Sequence, residues 1–308
     1  MEYVAMANGL KVSRITLGCW EMGGGPWEKL SDENNIRVIR DALAQGITSF
    51  DTAEGYGQGH SESVLGEALT GQRAQCVVAT KVSKAHLRAD DLRRSLEQSL
   101  KRLRTDFVDI YYVHWPNEEI PFEETFSALS RAHQEGLVRA IGVSNFSVRQ
   151  LEEARRYAPV SVIQLEYSLL CRAIEEDMIP YCLAHGIGLM TYSSLAKGIL
   201  SGRFHPEGGI PVVPTDFRRE RRLFSPAHLE AERPLIDVLR KIAGRRGVQP
   251  AMVALRWLLD QPGVTSAIVG SQNMDHVQEN IAALDLTLTQ EERDELDKAS
   301  RQALSAIG

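Results

Sequence analysis

The chain has 308 residues, of which 43% are hydrophobic and 25% charged, so it can bury a full core in one large domain or two ordinary ones. A formal net charge of −6 argues against a nucleic acid or an anionic membrane as the main partner, because these require a basic surface. No run of about 18 apolar residues occurs, and the first residues lack the apolar core of a signal peptide. We expect a cytoplasmic protein whose partner is a small molecule, with no nucleic acid and no membrane; its state as monomer or homo-oligomer stays open.

The cysteines argue against a metal or redox motif. Cys19, Cys76, Cys171 and Cys182 are scattered without C-x-x-C spacing, which predicts reduced, buried thiols. No H-E-x-x-H motif or metal-spaced set of histidines and aspartates occurs either, so no metal site is predicted.

The chain begins with a hairpin signal. Asn8-Gly9 lies between two short strand-like runs, and this dipeptide is typical of a two-residue hairpin turn. Eight short apolar runs rich in β-branched residues follow, each typical of a buried strand. They cover 15–20, 47–52, 76–81, 108–114, 139–145, 161–167, 188–194 and 265–271.

Helical segments alternate with these runs. Ser31 is a predicted N-cap before a stripe formed by Ile36, Ile39 and Leu43. A second helix presents four leucines on one face, namely Leu92, Leu96, Leu100 and Leu103.

Eight strand–helix units predict an α/β fold, the (β/α)8 TIM barrel, in one domain over residues 1–308. The extra length is assigned to the N-terminal β-hairpin, to a long loop after strand 7 from about Lys197 to Arg233, and to a C-terminal helix, EERDELDKAS. The basic run FRRERRLF (217–224) lies in that loop, where it is either solvated or holds a phosphate group.

Residues with chemical function stand where the strands end, and barrel enzymes place their active sites at that face. Asp51, Lys81, His114 and Asn145 end the second to fifth strands, and Tyr56 lies just beyond Asp51. An ammonium close to a tyrosine favours the phenolate and lowers a pKa of about 10. We expect Asp51 to hold the lysine and His114 to orient a carbonyl oxygen.

Other chemistries receive less support. In FDTAEGYGQG (50–59) two glycines match the start of a dinucleotide fingerprint, but His60 stands at the third glycine. No G-x-S-x-G nucleophile elbow is present. A Schiff-base aldolase with a strand-end lysine stays open, although it leaves Tyr56 unexplained.

Seven motifs together resemble the aldo-keto reductases across essentially the whole chain, and in particular the bacterial branch of general stress and vegetative reductases. In chain order they are FDTAEGYG (50–57), ATK (79–81), YYVHWP (111–116), GVSNFS (142–147), QLEYS (164–168), YSSLAKGILSG (192–202) and GSQNMDHVQEN (270–280).

The resemblance implies a catalytic tetrad of Asp51, Tyr56, Lys81 and His114. Tyr56 would be the general acid for carbonyl reduction and the general base for alcohol oxidation, with hydride supplied from nicotinamide C4. The expected function is reduction of aldehydes and ketones to alcohols. The rival function is a cofactor-occupied sensing module that resembles the channel β-subunits of the same superfamily.

The resemblance also implies the cofactor contacts. Ser144, Asn145 and Gln164 would bind the carboxamide, and Tyr192 would stack on the nicotinamide ring. The pyrophosphate would follow Ser193, Leu195, Lys197 and Gly198, and the adenosine end would lie at Gly270, Ser271, Gln272, His276, Glu279 and Asn280.

NADPH (NADP⁺) is the expected cofactor, with NADH possible. Gln272 and His276 stand where family members that prefer NADPH often carry basic side chains. Lys197, Arg203 or the arginines at 218–222 would then contact the 2′-phosphate. Trp20 and Trp115 are the expected aromatic walls of a broad, open substrate site.

Overall fold

The computed structural model describes residues 1–24, 31–271 and 273–307. The chain divides into two compact units. The first comprises residues 1–165, 174–192 and 262–274, and the second comprises residues 166–173, 193–261 and 275–308. The single domain expected over 1–308 stays a prediction.

A hairpin opens the first unit, as expected. Strand β1 (Tyr3–Ala5) pairs antiparallel with β2 (Lys11–Ser13). Met6 N donates to Leu10 O at 2.9 Å, so the turn is one residue longer than the predicted two-residue turn. Gly9 takes the left-handed conformation at φ 82°, as in a type I turn followed by a bulge.

Eight parallel strands form a closed barrel, which confirms the (β/α)8 TIM barrel. Each strand pairs with its successor in the chain, and the last pairs with the first. The strands are β3 (Ile15–Gly18), β4 (Ser49–Asp51), β5 (Val77–Val82), β6 (Val108–Val113), β7 (Val138–Ser144), β8 (Val160–Glu166), β9 (Gly188–Tyr192) and β10 (Val264–Gly270). All lie in the first unit, except for Glu166.

The barrel interior is filled by alternate residues of the strands. Its buried cluster includes Ala79, Ile110, Val162 and Met190. Met6 of the hairpin belongs to the same cluster, so the hairpin covers one end of the barrel. Because side chains alternate along a strand, residues two positions further on also point inward, one layer nearer the carboxyl ends.

Six helices of the first unit follow the strands. They are α1 (Asp32–Ala44), α2 (His60–Ala68), α3 (Ala89–Leu103), α4 (Phe122–Gln134), α5 (Val148–Ala154) and α6 (Met178–His185). The Ser31 cap is confirmed, because its side chain accepts from Asn34 N at 3.3 Å. All four leucines predicted on α3 are buried. On α1 the stripe differs slightly, since Ile36 is half-buried and Val38 is buried instead.

The remaining helices are α7 (Pro226–Arg246), α8 (Pro250–Leu259), α9 (Met274–Ala282) and α10 (Gln290–Ile307), which lie in the second unit apart from Met274. The long loop ends at Ser225, earlier than the predicted Arg233. Ser225 caps α7 by accepting from His228 N, and Pro226 takes the first helical position. The predicted C-terminal helix is confirmed as part of α10. Among the described helices none is long and apolar enough to cross a membrane.

Candidate active site

The barrel alternation brings the predicted catalytic residues to one end of the first unit. Lys81 follows Ala79 by two positions and Gln164 follows Val162 in the same way, so both side chains point inward above the core cluster. Asp51 is the last residue of β4. The strand ends therefore converge, as expected from the sequence.

Lys81 is fully buried and its ammonium has three partners. Nζ donates to Asp51 Oδ1 at 2.5 Å, to Thr52 O at 2.8 Å and to Tyr56 Oη at 3.3 Å. An ammonium has three donors, so each of these partners accounts for one of them. Burial by itself would lower the pKa of Lys81, but the Asp51 carboxylate and Tyr56 offset this effect and the net pKa is raised. Lys81 is therefore a cation at neutral pH.

Asp51 is buried and holds the lysine in place. Its second carboxylate oxygen accepts from Gln164 Nε2 at 2.7 Å. The family resemblance implied that Gln164 binds a nicotinamide carboxamide, and the sequence gave no sign of its contact with Asp51. Beneath it, the Tyr112 ring occupies the space that a side chain at Gly142 would fill, because a Cβ there would lie 2.4 Å from that ring.

Tyr56 is half-buried in the loop between β4 and α2. Its ring makes an edge contact with His114, with centroids 5.9 Å apart, and its centroid is 6.3 Å from that of Trp20. Burial raises the pKa of Tyr56 above 10.0, while Lys81 acts in the opposite direction. The sequence-based expectation of a lowered pKa was wrong in its net sign, because desolvation of the phenolate exceeds the attraction of the ammonium.

His114 follows β6 and is neutral. Burial, together with the Lys81 charge, lowers its pKa from 6.5 to about 3. Its backbone is fixed on both sides, since its N–H donates to Val82 O and its carbonyl accepts from Asn145 Nδ2, both at 3.0 Å. A neutral imidazole in this position has one N–H donor to offer.

The ends of β7 to β9 carry a hydrogen-bonded set of polar residues. Ser144 Oγ donates to Gln164 O at 2.9 Å, and Asn145 Nδ2 lies 3.1 Å from Ser144 Oγ. Tyr192 Oη donates to Asn145 Oδ1 at 2.7 Å. Asn145 holds the left-handed conformation at φ 64°, which asparagine tolerates better than most residues. The structure thus brings Ser144, Asn145, Gln164 and Tyr192 together, as predicted.

The two predicted aromatic walls differ in their surroundings. Trp20 is half-buried near Tyr56, whereas Trp115 is 49% exposed. Of the residues assigned to the adenosine end, Gly270 and Ser271 are described in this unit, and Gln272 lies outside the described residues. A Cβ at Gly270 would lie 2.7 Å from the Glu21 carboxylate, so a larger residue at this strand end would require the Glu21 side chain to shift.

The second unit carries the other predicted cofactor residues. Lys197 Nζ donates to Ser193 Oγ at 3.1 Å and lies 3.3 Å from a Glu166 oxygen. Ser193, Lys197 and Gly198 all have positive φ, which makes a tight turn after β9. Leu195 lies in this turn and is half-buried.

The arginines of the long loop have partners of their own. Arg218 forms an ion pair with Asp216 and donates to Lys197 O, and Arg222 donates to Ile307 O. The Arg203 guanidinium lies over the Phe204 ring. On α9, His276 is exposed, Glu279 half-buried and Asn280 buried.

Sequence reasoning missed two supports of the loop that carries Tyr56. The Thr52 carbonyl binds Lys81, and the Glu54 carboxylate accepts from Ser83 N at 2.7 Å and from His86. Both residues lie within the motif FDTAEGYG, whose spacing was the only available signal. No group of three or more metal-ligating side chains occurs among the described residues.

The chain matches the model of the aldo/keto reductase family over residues 14–301. It therefore belongs to this family, and it is an oxidoreductase with the TIM-barrel fold.

Individual relatives agree with this assignment. The chain is 35% identical to the aldo-keto reductase YhdN of Bacillus subtilis (strain 168) over 317 aligned residues, which cover 99% of this chain and 95% of the relative. The glycerol dehydrogenase AKR11B4 from Gluconobacter oxydans has a TM-score of 0.88 and 32% identity, with 98% of this chain and 96% of that chain covered. An aldo-keto reductase from Klebsiella pneumoniae, solved in complex with NADPH, has a TM-score of 0.79 and 31% identity, covering 96% and 94%.

Proposed function

We propose that this protein is an NADPH-dependent reductase that converts aldehydes and ketones to alcohols, with Asp51, Tyr56, Lys81 and His114 as its catalytic tetrad. The observation that carries the proposal is the Lys81 ammonium, whose third donor reaches the Tyr56 hydroxyl at 3.3 Å. A cation in this position stabilises the phenolate that forms when Tyr56 gives up its proton.

The polar residues of the first unit suit a nicotinamide. A carboxamide both donates and accepts hydrogen bonds, and the hydroxyl of Ser144 and the side-chain amide of Asn145 offer both kinds of group. Tyr192 presents a partly exposed aromatic ring at the neighbouring strand end. In the second unit, the positively charged Lys197 ammonium suits a negatively charged phosphate. Ser193, Leu195, Gly198, Gly270, Ser271, Gln272, His276, Glu279 and Asn280 are proposed for the rest of the cofactor from the motifs alone.

The reduced nicotinamide would supply a hydride to the carbonyl carbon. The protein itself supplies the proton. Tyr56 Oη donates its proton to the carbonyl oxygen, the O–H bond of the phenol breaks, and the alcohol forms. His114, neutral at physiological pH, donates a hydrogen bond to the same oxygen and keeps it within reach of Tyr56.

The same geometry argues against the Schiff-base aldolase. A lysine that attacks a carbonyl must be an unprotonated amine, which requires a lowered pKa. Lys81 has a raised pKa, and all three of its donors have partners. It acts as a fixed cation and not as a nucleophile.

The preference for NADPH over NADH rests on the second unit. Lys197 already neighbours Glu166, and Arg218 already pairs with Asp216, so a 2′-phosphate competes with carboxylates for these cations. This competition limits the size of the preference, but both side chains are cations that attract a 2′-phosphate, which NADH lacks. On that ground we propose NADPH as the favoured cofactor with NADH as a weaker substitute. Equal affinities in parallel binding titrations would contradict the preference.

The substrate class follows from the walls of the site. Trp20 and Trp115 are large aromatic surfaces, one beside Tyr56 and one largely open to solvent, which suits small aromatic and aliphatic carbonyls of varied shape.

The test is oxidation of NADPH and NADH, followed by absorbance, over a panel of such aldehydes and ketones. Tyr56→Phe deletes the proposed donor, and Tyr3→Phe deletes a hydroxyl in the hairpin as the matched control. We expect turnover in the wild type and in Tyr3→Phe. In Tyr56→Phe we expect kcat to fall by about 10²-fold or more, with cofactor binding retained. Tight cofactor binding without turnover on any carbonyl would instead support the sensing module. The relatives described above are named as reductases and a dehydrogenase, and so do not favour that alternative.

A further inference from the structure

Two loops of the first unit meet backbone to backbone at the proposed proton donor. A Cβ placed on Gly23 would lie 2.7 Å from the carbonyl carbon of Tyr56 and 2.9 Å from Gly57 N. A Cβ on Gly57 would in turn lie 2.1 Å from Gly23 O. Contacts this short are not made by real side chains, so glycine at position 23 allows the approach.

The loop that carries Gly23 has little freedom to withdraw. Cys19 N donates to Asp51 O at 2.8 Å, and Cys19 O accepts from Ser61 Oγ at 2.7 Å. Met22, next to Gly23, is 2% exposed, and its turn packs against α2. The Tyr56 segment is held by longer hydrogen bonds, since Tyr56 N donates to Ala53 O at 3.0 Å and Tyr56 O accepts from Ser61 N at 3.3 Å. We therefore expect an added methyl group at Gly23 to displace the half-buried Tyr56 segment more than the turn.

The same turn begins at Trp20, whose ring centroid lies 6.3 Å from that of Tyr56. We propose that Gly23 is a positioning residue: its backbone contact with Tyr56 sets the distance from the Tyr56 hydroxyl to Lys81 and to the aromatic wall formed by Trp20. This inference rests on the proposed function of Tyr56 as proton donor, and it adds a residue that touches none of the reacting atoms.

The test is Gly23→Ala, assayed as the purified full chain with NADPH and an aromatic aldehyde. A displacement of Tyr56 by roughly 1 Å is expected to lower kcat by about 10²-fold. The dissociation constant for NADPH, measured by fluorescence titration, is expected to change by less than about twofold, because the substitution lies outside the residues proposed to hold it.

A pH profile separates a positioning role from a merely structural one. Lys81 lowers the pKa of Tyr56, so moving the hydroxyl away from Lys81 raises that pKa further. The alkaline limb of kcat for reduction is therefore expected at higher pH in Gly23→Ala than in the wild type. A variant that has only lost stability keeps the wild-type limb.

Gly244→Ala is the matched control. It adds the same methyl group on the exposed side of α7, outside the residues proposed for catalysis or cofactor binding, and its Cβ would meet no atom within 4 Å. Its kcat and alkaline limb are expected to match the wild type. A folded Gly23→Ala with unchanged kcat overturns the inference, and so does an equal loss in Gly244→Ala.

If Gly23→Ala does not fold, as judged by circular dichroism, Met22→Ala is the second variant. It removes the buried anchor of the turn without adding volume, and a fall in kcat with unchanged NADPH affinity is expected. Unchanged kcat in that variant overturns the inference. Absence of turnover in the wild type would instead reject the proposed function, so the two failures are distinguishable.

Discussion

At the scale of single residues, the ion pair between Lys81 and Asp51 is the most consequential contact of the site. Both side chains are buried, at 0% and 5% exposure. Removing one partner of a buried pair leaves the other as an uncompensated charge, whereas removing both avoids this cost.

We therefore expect Lys81→Met to lower the free energy of unfolding by about 3 kcal/mol or more. The double variant Lys81→Met with Asp51→Asn should recover much of that loss. Urea unfolding of the wild type, both single variants and the double variant measures the coupling. Additive effects would show that the pair is not coupled in the folded protein. Turnover should stay absent in the double variant, because Tyr56 has lost its cation.

His114 links the site to the pH dependence of stability. Its pKa is about 3 in the folded protein against an ordinary value of 6.5. As the pH falls through 6.5, His114 binds a proton in the unfolded chain but not in the folded chain. Its contribution to stability is therefore fully present above pH 6.5 and is lost progressively toward pH 3.

The expected result is a shallower fall in unfolding free energy between pH 6.5 and pH 4 in His114→Asn than in the wild type, measured by urea titration at a series of pH values. The exposed His276→Asn is the control and should keep the wild-type slope. Parallel curves for His114→Asn and the wild type would contradict a lowered pKa.

At the scale of elements, helix α7 contains a carboxyl group that the proposed chemistry does not use. Glu232 is fully buried, and neither of its oxygens has a hydrogen-bond partner among the described residues. His205 Nε2 lies 3.9 Å from one of its oxygens. Burial raises the pKa of Glu232 to about 8. The group is therefore protonated in the folded protein at neutral pH.

Between pH 4.5 and pH 8 the unfolded chain releases this proton while the folded chain retains it, so stability is lost as the pH rises through this range. Glu232→Gln removes the effect. We expect it to raise the free energy of unfolding at pH 8 by about 4 kcal/mol, because each pKa unit corresponds to about 1.4 kcal/mol, and to change little at pH 4. Glu230→Gln, on the exposed side of the same helix, is the control. A destabilised Glu232→Gln at pH 8 would contradict the prediction.

The elements themselves were predictable where local signals agree. All eight strands and the leucine-lined α3 were recognised, because apolar periodicity reports which face of an element is buried. Turn lengths were less certain: the Asn8-Gly9 turn gained a residue, and the long loop ended at Ser225. In both cases a local hydrogen bond decides the boundary, and competing caps cannot be ranked from sequence alone.

At the scale of the whole molecule, cofactor binding should be visible in stability. A ligand that binds only the folded chain stabilises it by about 2.7 kcal/mol when its concentration is about 100-fold above its dissociation constant. NADPH is expected to raise the thermal midpoint by more than NADH at equal concentration. Equal shifts would argue for dual use.

Limited proteolysis locates the same event in the chain. If the basic run at 217–224 clamps the cofactor, its arginine sites should become resistant to trypsin when NADPH is added, while sites on the exposed face of α3 keep their cleavage rate. Unchanged cleavage at 217–224 would argue against the clamp and leave the rest of the proposal intact.

The sequence by itself determined the barrel and the family, and it indicated the four residues that we propose as the tetrad, because strand-end residues and motif spacing are local properties of the chain. Tertiary structure alone decided three features of the site. Gln164 binds Asp51, the net pKa of Tyr56 is raised, and Gly23 contacts the Tyr56 backbone. Each depends on distances between segments far apart in the chain and on how much water their packing excludes. Local sequence patterns determine neither quantity.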